Sequence, residues 1–167
     1  MSAPLIVTAL FGPGDDGWLQ QLRRDHYPVE RNQVPAHLTL FHQLPPSAED
    51  EVRRRLAACA VAPRPPASVA GVMDLGGGTA LRLDSPGLED VRWDLAEELS
   101  GLLSAQDAGP WTPHITIQNK VEPREAKRLQ SALKGRYEGR PVVIRGLALW
   151  RYLGGPWAPV RDWSFRL

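Results

Sequence analysis

Cysteine is nearly absent from this 167-residue chain: Cys59 stands alone, which excludes an internal disulfide framework and any cysteine-based zinc finger. An excess of charge of one sign is missing as well. Twenty Lys and Arg against 19 Asp and Glu leave a formal net charge of +1, so a protein that coats duplex nucleic acid through bulk electrostatics is excluded. No apolar run approaches the roughly 20 residues that span a bilayer. The start, Met1-Ser2-Ala3-Pro4 before a short apolar stretch, lacks the basic and long apolar regions of a secretory leader. These absences predict a soluble, cytoplasmic protein with no membrane partner. Histidine is scarce too: only His26, His37, His42 and His114 occur, and no His-x-His or Glu-x-x-His pair groups them as metal ligands. Neither a metal nor a cofactor is expected.

Against this background two tetrapeptides stand out, His37-Leu38-Thr39-Leu40 and His114-Ile115-Thr116-Ile117. Both alternate polar with apolar residues as a half-buried strand does, so each puts an imidazole and a hydroxyl on one face and its aliphatic side chains on the other. One offset of 77 residues superimposes His37 on His114, Thr39 on Thr116, Pro46 on Pro123, Val52 on Leu129 and Leu56 on Leu133, without a gap. This is the signature of a duplicated strand, turn and helix. With 43% hydrophobic residues the chain has material for a sizeable core, and residues 1–167 are expected to form a single domain of two closely packed lobes.

The remaining elements follow from punctuation and period. Leu5 to Phe11 reads as a buried strand, Asp15 to Arg24 as a helix, and Ser47-Ala48-Glu49-Asp50 as a capping box opening a helix with Val52 and Leu56 inward. The run Pro63-Arg64-Pro65-Pro66 breaks the chain where it crosses between lobes. Ser68 to Leu75 and Thr79 to Leu83 form a hairpin around Gly76-Gly77-Gly78, and Leu88 to Leu103 a long helix. Pro123 starts a helix with Ala126, Leu129 and Leu133 inward; Val142 to Leu153 and an alternating run through Trp163, Phe165 and Leu167 complete the chain. Strands, hairpins and helices in this order predict an α+β protein with antiparallel sheets.

The paired His-x-Thr strands, together with Leu5-Ile6-Val7, Val34-Pro35-Ala36 before the first motif and Trp111-Thr112-Pro113 before the second, resemble the two-histidine phosphoesterase superfamily. The branch most resembled is that of the 2′,5′ RNA ligases and 2′,3′-cyclic phosphodiesterases. The resemblance implies a bilobal fold with pseudo-symmetric lobes, one motif strand from each lining a central cleft, and metal-free chemistry on 2′- or 3′-linked phosphate esters. The implied partner is a cyclic or 2′,5′-linked nucleotide or an RNA end, and the chain is separately expected to be a monomer.

The residue types suit that chemistry in their own right. Opening a phosphodiester in line needs a base on one side of phosphorus and an acid on the other, and histidine serves either role near neutral pH. His37 and His114 are the candidate catalytic pair, with base and acid unassigned between them. Thr39 and Thr116 are candidate phosphate-binding hydroxyls. Strand parity adds Phe41 for stacking, with core packing as its competing role, and Gln118 for hydrogen bonding. Arg31, in the loop before the first motif, is a further candidate phosphate contact, and the resemblance implies Arg151 and Tyr152 as candidate substrate contacts, because in that superfamily a strand at this point borders the cleft; solvated surface positions are the alternative for both arginines. His42 lies five residues beyond His37, on the opposite face by parity, and His26 lacks the motif; both are expected at the surface or in packing. Trp157 and Trp163 are expected in the core and Arg53-Arg54-Arg55 on a wet helix face. Two other functions compete with ester hydrolysis. One is RNA 2′,5′ ligation, which needs a surface that holds polynucleotide ends and which the near-neutral charge disfavours. The other is a nucleotide or RNA-end binding module without turnover, which the two intact motifs disfavour.

Overall fold

The computed structural model describes residues 3–167, and its strands fall into two antiparallel sheets that meet at the two motif strands. The larger sheet has the order β2 (Leu38–Leu44), β1 (Leu5–Phe11), β6 (Ile144–Tyr152), β7 (Trp157–Ser164). The smaller has β3 (Ser68–Asp74), β4 (Thr79–Asp84), β5 (His114–Gln118). β1 takes the centre of the larger sheet because its apolar run is buried at nearly every position. The strand–helix–strand–helix series β1, α1 (Pro13–His26), β2, α2 (Glu49–Cys59) recurs as β4, α3 (Pro86–Glu98), β5, α5 (Pro123–Leu133). Residues 63–66 carry the chain from the first sheet to the second, and β6 and β7 return it.

Local chemistry explains the helix ends. Pro13 opens α1, and Asp15 in its first turn accepts the Val143 backbone N–H at 2.8 Å. Ser85 caps α3 by accepting the Leu88 N–H. The expected capping box at Ser47 does not form. A 3-10 turn over Pro46–Ala48 leads into α2, and the Glu49 carboxylate instead pairs with Arg53 and Arg151. The helix expected to reach Leu103 stops at Glu98, because Ser100-Gly101 favours a 3-10 turn over helix continuation; a short α4 (Ala105–Ala108) follows, capped by Ser104. The last strand begins at Trp157, ahead of the expected alternating run, directly after a turn with Gly154 at φ 91°. Pro159 is tolerated there because β7 is a sheet edge. The arginine triplet is salt-bridged to Glu49, Glu51 and Glu98 along α2 and its neighbour.

The buried apolar cluster draws on both sheets, from Leu5, Leu38, Leu40 and Leu147 in one to Leu81, Leu83, Ile115 and Ile117 in the other. Both motif strands are sheet edges, lying against each other where the sheets meet, and α1 packs on β5. No helix among the described residues is long and apolar enough to cross a membrane.

Candidate active site

Because β2 and β5 are facing edges, their outward polar positions converge. His37, Thr39, His114 and Thr116 line one cavity of about 120 Å³, closed by Ile6, His42 and Trp157. The imidazoles are held alike. His37 Nδ1 lies 2.8 Å from the Pro35 carbonyl and His114 Nδ1 lies 2.8 Å from the Thr112 carbonyl, two positions again separated by 77 residues. A carbonyl only accepts, so Nδ1 carries hydrogen in both rings and Nε2 is the nitrogen left for chemistry.

The edge strands would leave unpaired carbonyls beside this cavity, and each receives an arginine from a helix of the other repeat. Arg23 of α1 donates to the Thr116 carbonyl at 2.8 Å and to Asn32 Oδ1 at 2.9 Å. Arg92 of α3 donates to the Leu40 carbonyl at 2.8 Å and to the Asp107 carbonyl at 2.6 Å, and the Trp111 indole donates to the Thr39 carbonyl at 3.0 Å. Both guanidiniums are buried and face aromatic rings, Arg23 over Tyr27 and Arg92 over Phe41. Burial lowers both arginine pKa values, and both stay protonated.

The His37 ring is largely enclosed by protein atoms, with Trp157 tilted over it at 4.6 Å, and keeps part of its surface open to solvent. That enclosure pushes its pKa down to about 4, more than the Pro35 hydrogen bond pulls it up, and the charges of Arg23, His42 and His114 add to the drop. Across the cavity His42 meets Asp107, whose carboxylate is 1% exposed. Burial alone would raise the Asp107 pKa, but hydrogen bonds from the His42 ring and from the His42 and Gln43 backbone hold it below the ordinary carboxylate range.

The sequence profile of the 2′-5′ RNA ligase superfamily matches residues 11–156, most of the chain and both motifs. The chain belongs to this superfamily. Its fold is shared with solved structures, one of them described as a phosphoesterase. The structure of E. coli LigT complexed with 3′-AMP superposes with a TM-score of 0.67 over 100% of both chains at 17% identity. TT0787 of Thermus thermophilus superposes with a TM-score of 0.66 over 98% of both chains at 18% identity. No curated protein sequence matches the chain.

In this member of the superfamily, strand parity fails immediately beyond each motif, for one shared reason. Thr39 pairs with Thr8 but Phe41 with Val7; Thr116 pairs with Ala80 but Gln118 with Thr79. Each motif strand thus carries one extra residue, a β-bulge at Leu40 and at Ile117, which turns the next side chain inward. Phe41 is fully buried in the core and does not line the cavity. Gln118 is also buried, its Oε1 accepting the Thr79 hydroxyl at 2.9 Å. The same bulge brings His42 to the cavity, contrary to the parity expectation. Arg31 ends an exposed 3-10 turn away from the cavity. Arg151 pairs with Glu49 at 2.6 Å, and Tyr152 is exposed. The neighbouring Trp150 faces the cleft side in their place, with its indole on the Thr8 hydroxyl at 3.0 Å. Sequence reading missed His42, Trp157, Arg23, Arg92 and Asp107. Only Leu40-Phe41, two successive apolar residues in an alternating strand, hinted at the bulge.

Two larger cavities lie in the same protein, and one of them adjoins the motif cavity. One of about 550 Å³ shares His37 and Trp157 with the motif cavity and is lined further by Trp150, Arg24 and Arg145. Another of about 650 Å³ lies between α3 and α4 behind Asp107 and contains none of the motif residues.

Proposed function

We propose that this chain is a metal-independent phosphoesterase that opens 2′,3′-cyclic, or cleaves 2′,5′-linked, nucleotide phosphodiesters by two-histidine acid–base catalysis. The observation that carries the proposal is the matched pair of imidazoles, each with Nδ1–H on a backbone carbonyl and Nε2 free, in one cavity with two threonine hydroxyls. His37 takes the base role because its enclosure keeps it neutral well below pH 7. Its Nε2 accepts a proton from water as the water oxygen attacks phosphorus. His114 gives its Nε2 proton to the ribose oxygen as that P–O bond breaks. Thr39 and Thr116 donate to the non-bridging oxygens, stabilising their growing charge. With a ribose hydroxyl in place of water the same step forms a new phosphodiester, which is the ligase direction.

Cavity sizes divide the substrate. About 120 Å³ suffices for the phosphate group, and the nucleoside fits the adjoining cavity of about 550 Å³, against Trp150 and Trp157. The shared fold with E. coli LigT, itself crystallised with 3′-AMP, ATP and phosphate, supports a nucleotide ligand. The test is incubation with a 2′,3′-cyclic nucleotide and EDTA, followed by phosphorus NMR. Turnover to one phosphomonoester isomer, abolished by His37→Ala and by His114→Ala, is expected; a 2′-phosphate product assigns the 3′ oxygen as leaving group. No turnover, or turnover that survives both substitutions, overturns the proposal.

A further inference from the structure

Among the described residues no lysine or arginine lines the motif cavity, although a phosphodiester brings it a full negative charge. The cationic groups available there are imidazoles, and of the three only His42 has a carboxylate partner. His42 Nδ1 lies 3.1 Å from Asp107 Oδ1, whereas the Nδ1 atoms of His37 and His114 bond to neutral carbonyls. The difference has chemical weight. A carbonyl fixes a ring's tautomer; a carboxylate does so and also stabilises the imidazolium by charge.

Asp107 is itself built in. Its Oδ1 and Oδ2 accept the His42 N–H at 2.9 and 3.0 Å, and Oδ2 accepts the Gln43 N–H at 2.9 Å. Its own N–H is held by Ser104, and its carbonyl receives Arg92 at 2.6 Å. The carboxylate therefore cannot swing away from His42 without breaking several hydrogen bonds. The second irregularity in the β1–β2 pairing, between Val7 and Leu5, lies where the His42 and Gln43 N–H groups turn from the ladder to Asp107.

We infer that the His42–Asp107 pair is the fixed cationic phosphate anchor of this cavity, with His42 Nε2–H donating to a non-bridging oxygen while His37 and His114 exchange protons. The inference rests on the phosphoester reading of the same cavity. It assigns His42 to binding and Asp107 to positioning. The groups that face the His42 ring are Asp107, which favours its charge, and His37 and His114, which oppose it when protonated.

The experiment compares wild type, His42→Gln and Asp107→Asn in two measurements. The first is calorimetric titration with adenosine 2′-monophosphate and with inorganic phosphate, which needs no turnover. The second is the kcat and KM split with a 2′,3′-cyclic nucleotide. His42→Gln is expected to weaken phosphate binding and raise KM about 10- to 100-fold, the worth of a charge-assisted hydrogen bond, with a smaller fall in kcat. Asp107→Asn follows in the same direction. In wild type, ¹⁵N-detected imidazole resonances are expected to report hydrogen on both ring nitrogens of His42 when phosphate is bound, a signature that loss of packing does not produce. Unchanged phosphate affinity in His42→Gln overturns the inference, as does a collapse of kcat at constant KM, which would make His42 a proton shuttle. If wild type binds phosphate through His42 but does not open cyclic nucleotides, the anchor stands and the phosphoesterase reading falls. If it turns over and His42→Gln binds as tightly as wild type, the reverse holds.

Discussion

The β2 lobe and the β5 lobe solve the same problem with the same parts until the fifth residue after each histidine. Both tie the motif imidazole to the carbonyl two residues back, both insert a bulge after the threonine, and both have an edge carbonyl capped by a buried arginine from the other repeat. At the next equivalent pair the lobes part. His42 lines the cavity on Asp107, while Asn119 turns its Oδ1 to the Lys120 N–H in a tight turn where Lys120 has φ 62°. Surroundings part as well: Trp157 lies over His37. Under the proposed mechanism the shared features are those that chemistry demands of an acid and a base used in turn. The unshared ones distinguish the surroundings of the two histidines.

The largest break in this comparison comes from the motif histidines themselves. His37→Ala and His114→Ala should each lower kcat about 10²- to 10⁴-fold, measured by phosphorus NMR, and the double variant little further, because a base without its acid is idle. Unequal losses well beyond tenfold would show that one lobe dominates. Next in size is the pair of crossing arginines. Arg92→Met and Arg23→Met should each cost about 2–4 kcal/mol in urea unfolding, because each leaves buried carbonyls unpaired, and Arg92→Met more because it also unseats Asp107.

The depressed His37 pKa separates the lobes by pH. The unfolded chain takes up the His37 proton near pH 6.5 and the folded chain only near 4. Stability from this group is therefore complete above pH 6.5 and is lost as the pH falls towards 4. Its size is at most about 3 kcal/mol, reduced by the solvent edge of the ring. Urea midpoints at pH 7 and 4.5 should fall further in wild type than in His37→Gln. The acidic limb of kcat/KM should likewise lie near 4 and not near 6.5. The smallest effect sharpens the contrast at the anchor. Asn119→His restores the symmetry of residue type without a carboxylate behind it, and should change affinity for adenosine 2′-monophosphate less than about twofold; rescue of His42→Gln by this substitution would show that the carboxylate is not what matters.

How much was legible follows from the range of the forces involved. Strand β1 and helix α5 match their sequence expectations because burial period and turn residues are local signals. The repeat was legible because duplication leaves residues at a constant offset. Phe41 took the core role that competed with stacking, and Gln118 was misplaced, because parity presumes an unbroken ladder and a bulge depends on the register of the partner strands β1 and β4. Arg151 takes the surface position that competed with substrate contact and Tyr152 is exposed, while Trp150 faces the cleft side on β6, because only the pairing of β6 fixes which of its residues turn that way.

The amino-acid order alone settled the duplicated His-x-Thr strands and the class of fold, and it supplied the residue types that the proposed acid–base chemistry uses, since alternation, composition and spacing are properties of neighbours along the chain. Tertiary structure decided which side chains share the cavity. Bulges, edge pairing and the burial of Asp107 are fixed by contacts between segments such as β2 and α4, 65 residues apart at His42 and Asp107. No local pattern encodes a register set by a strand elsewhere, and no local pattern encodes the dielectric around His37 or the carboxylate behind His42.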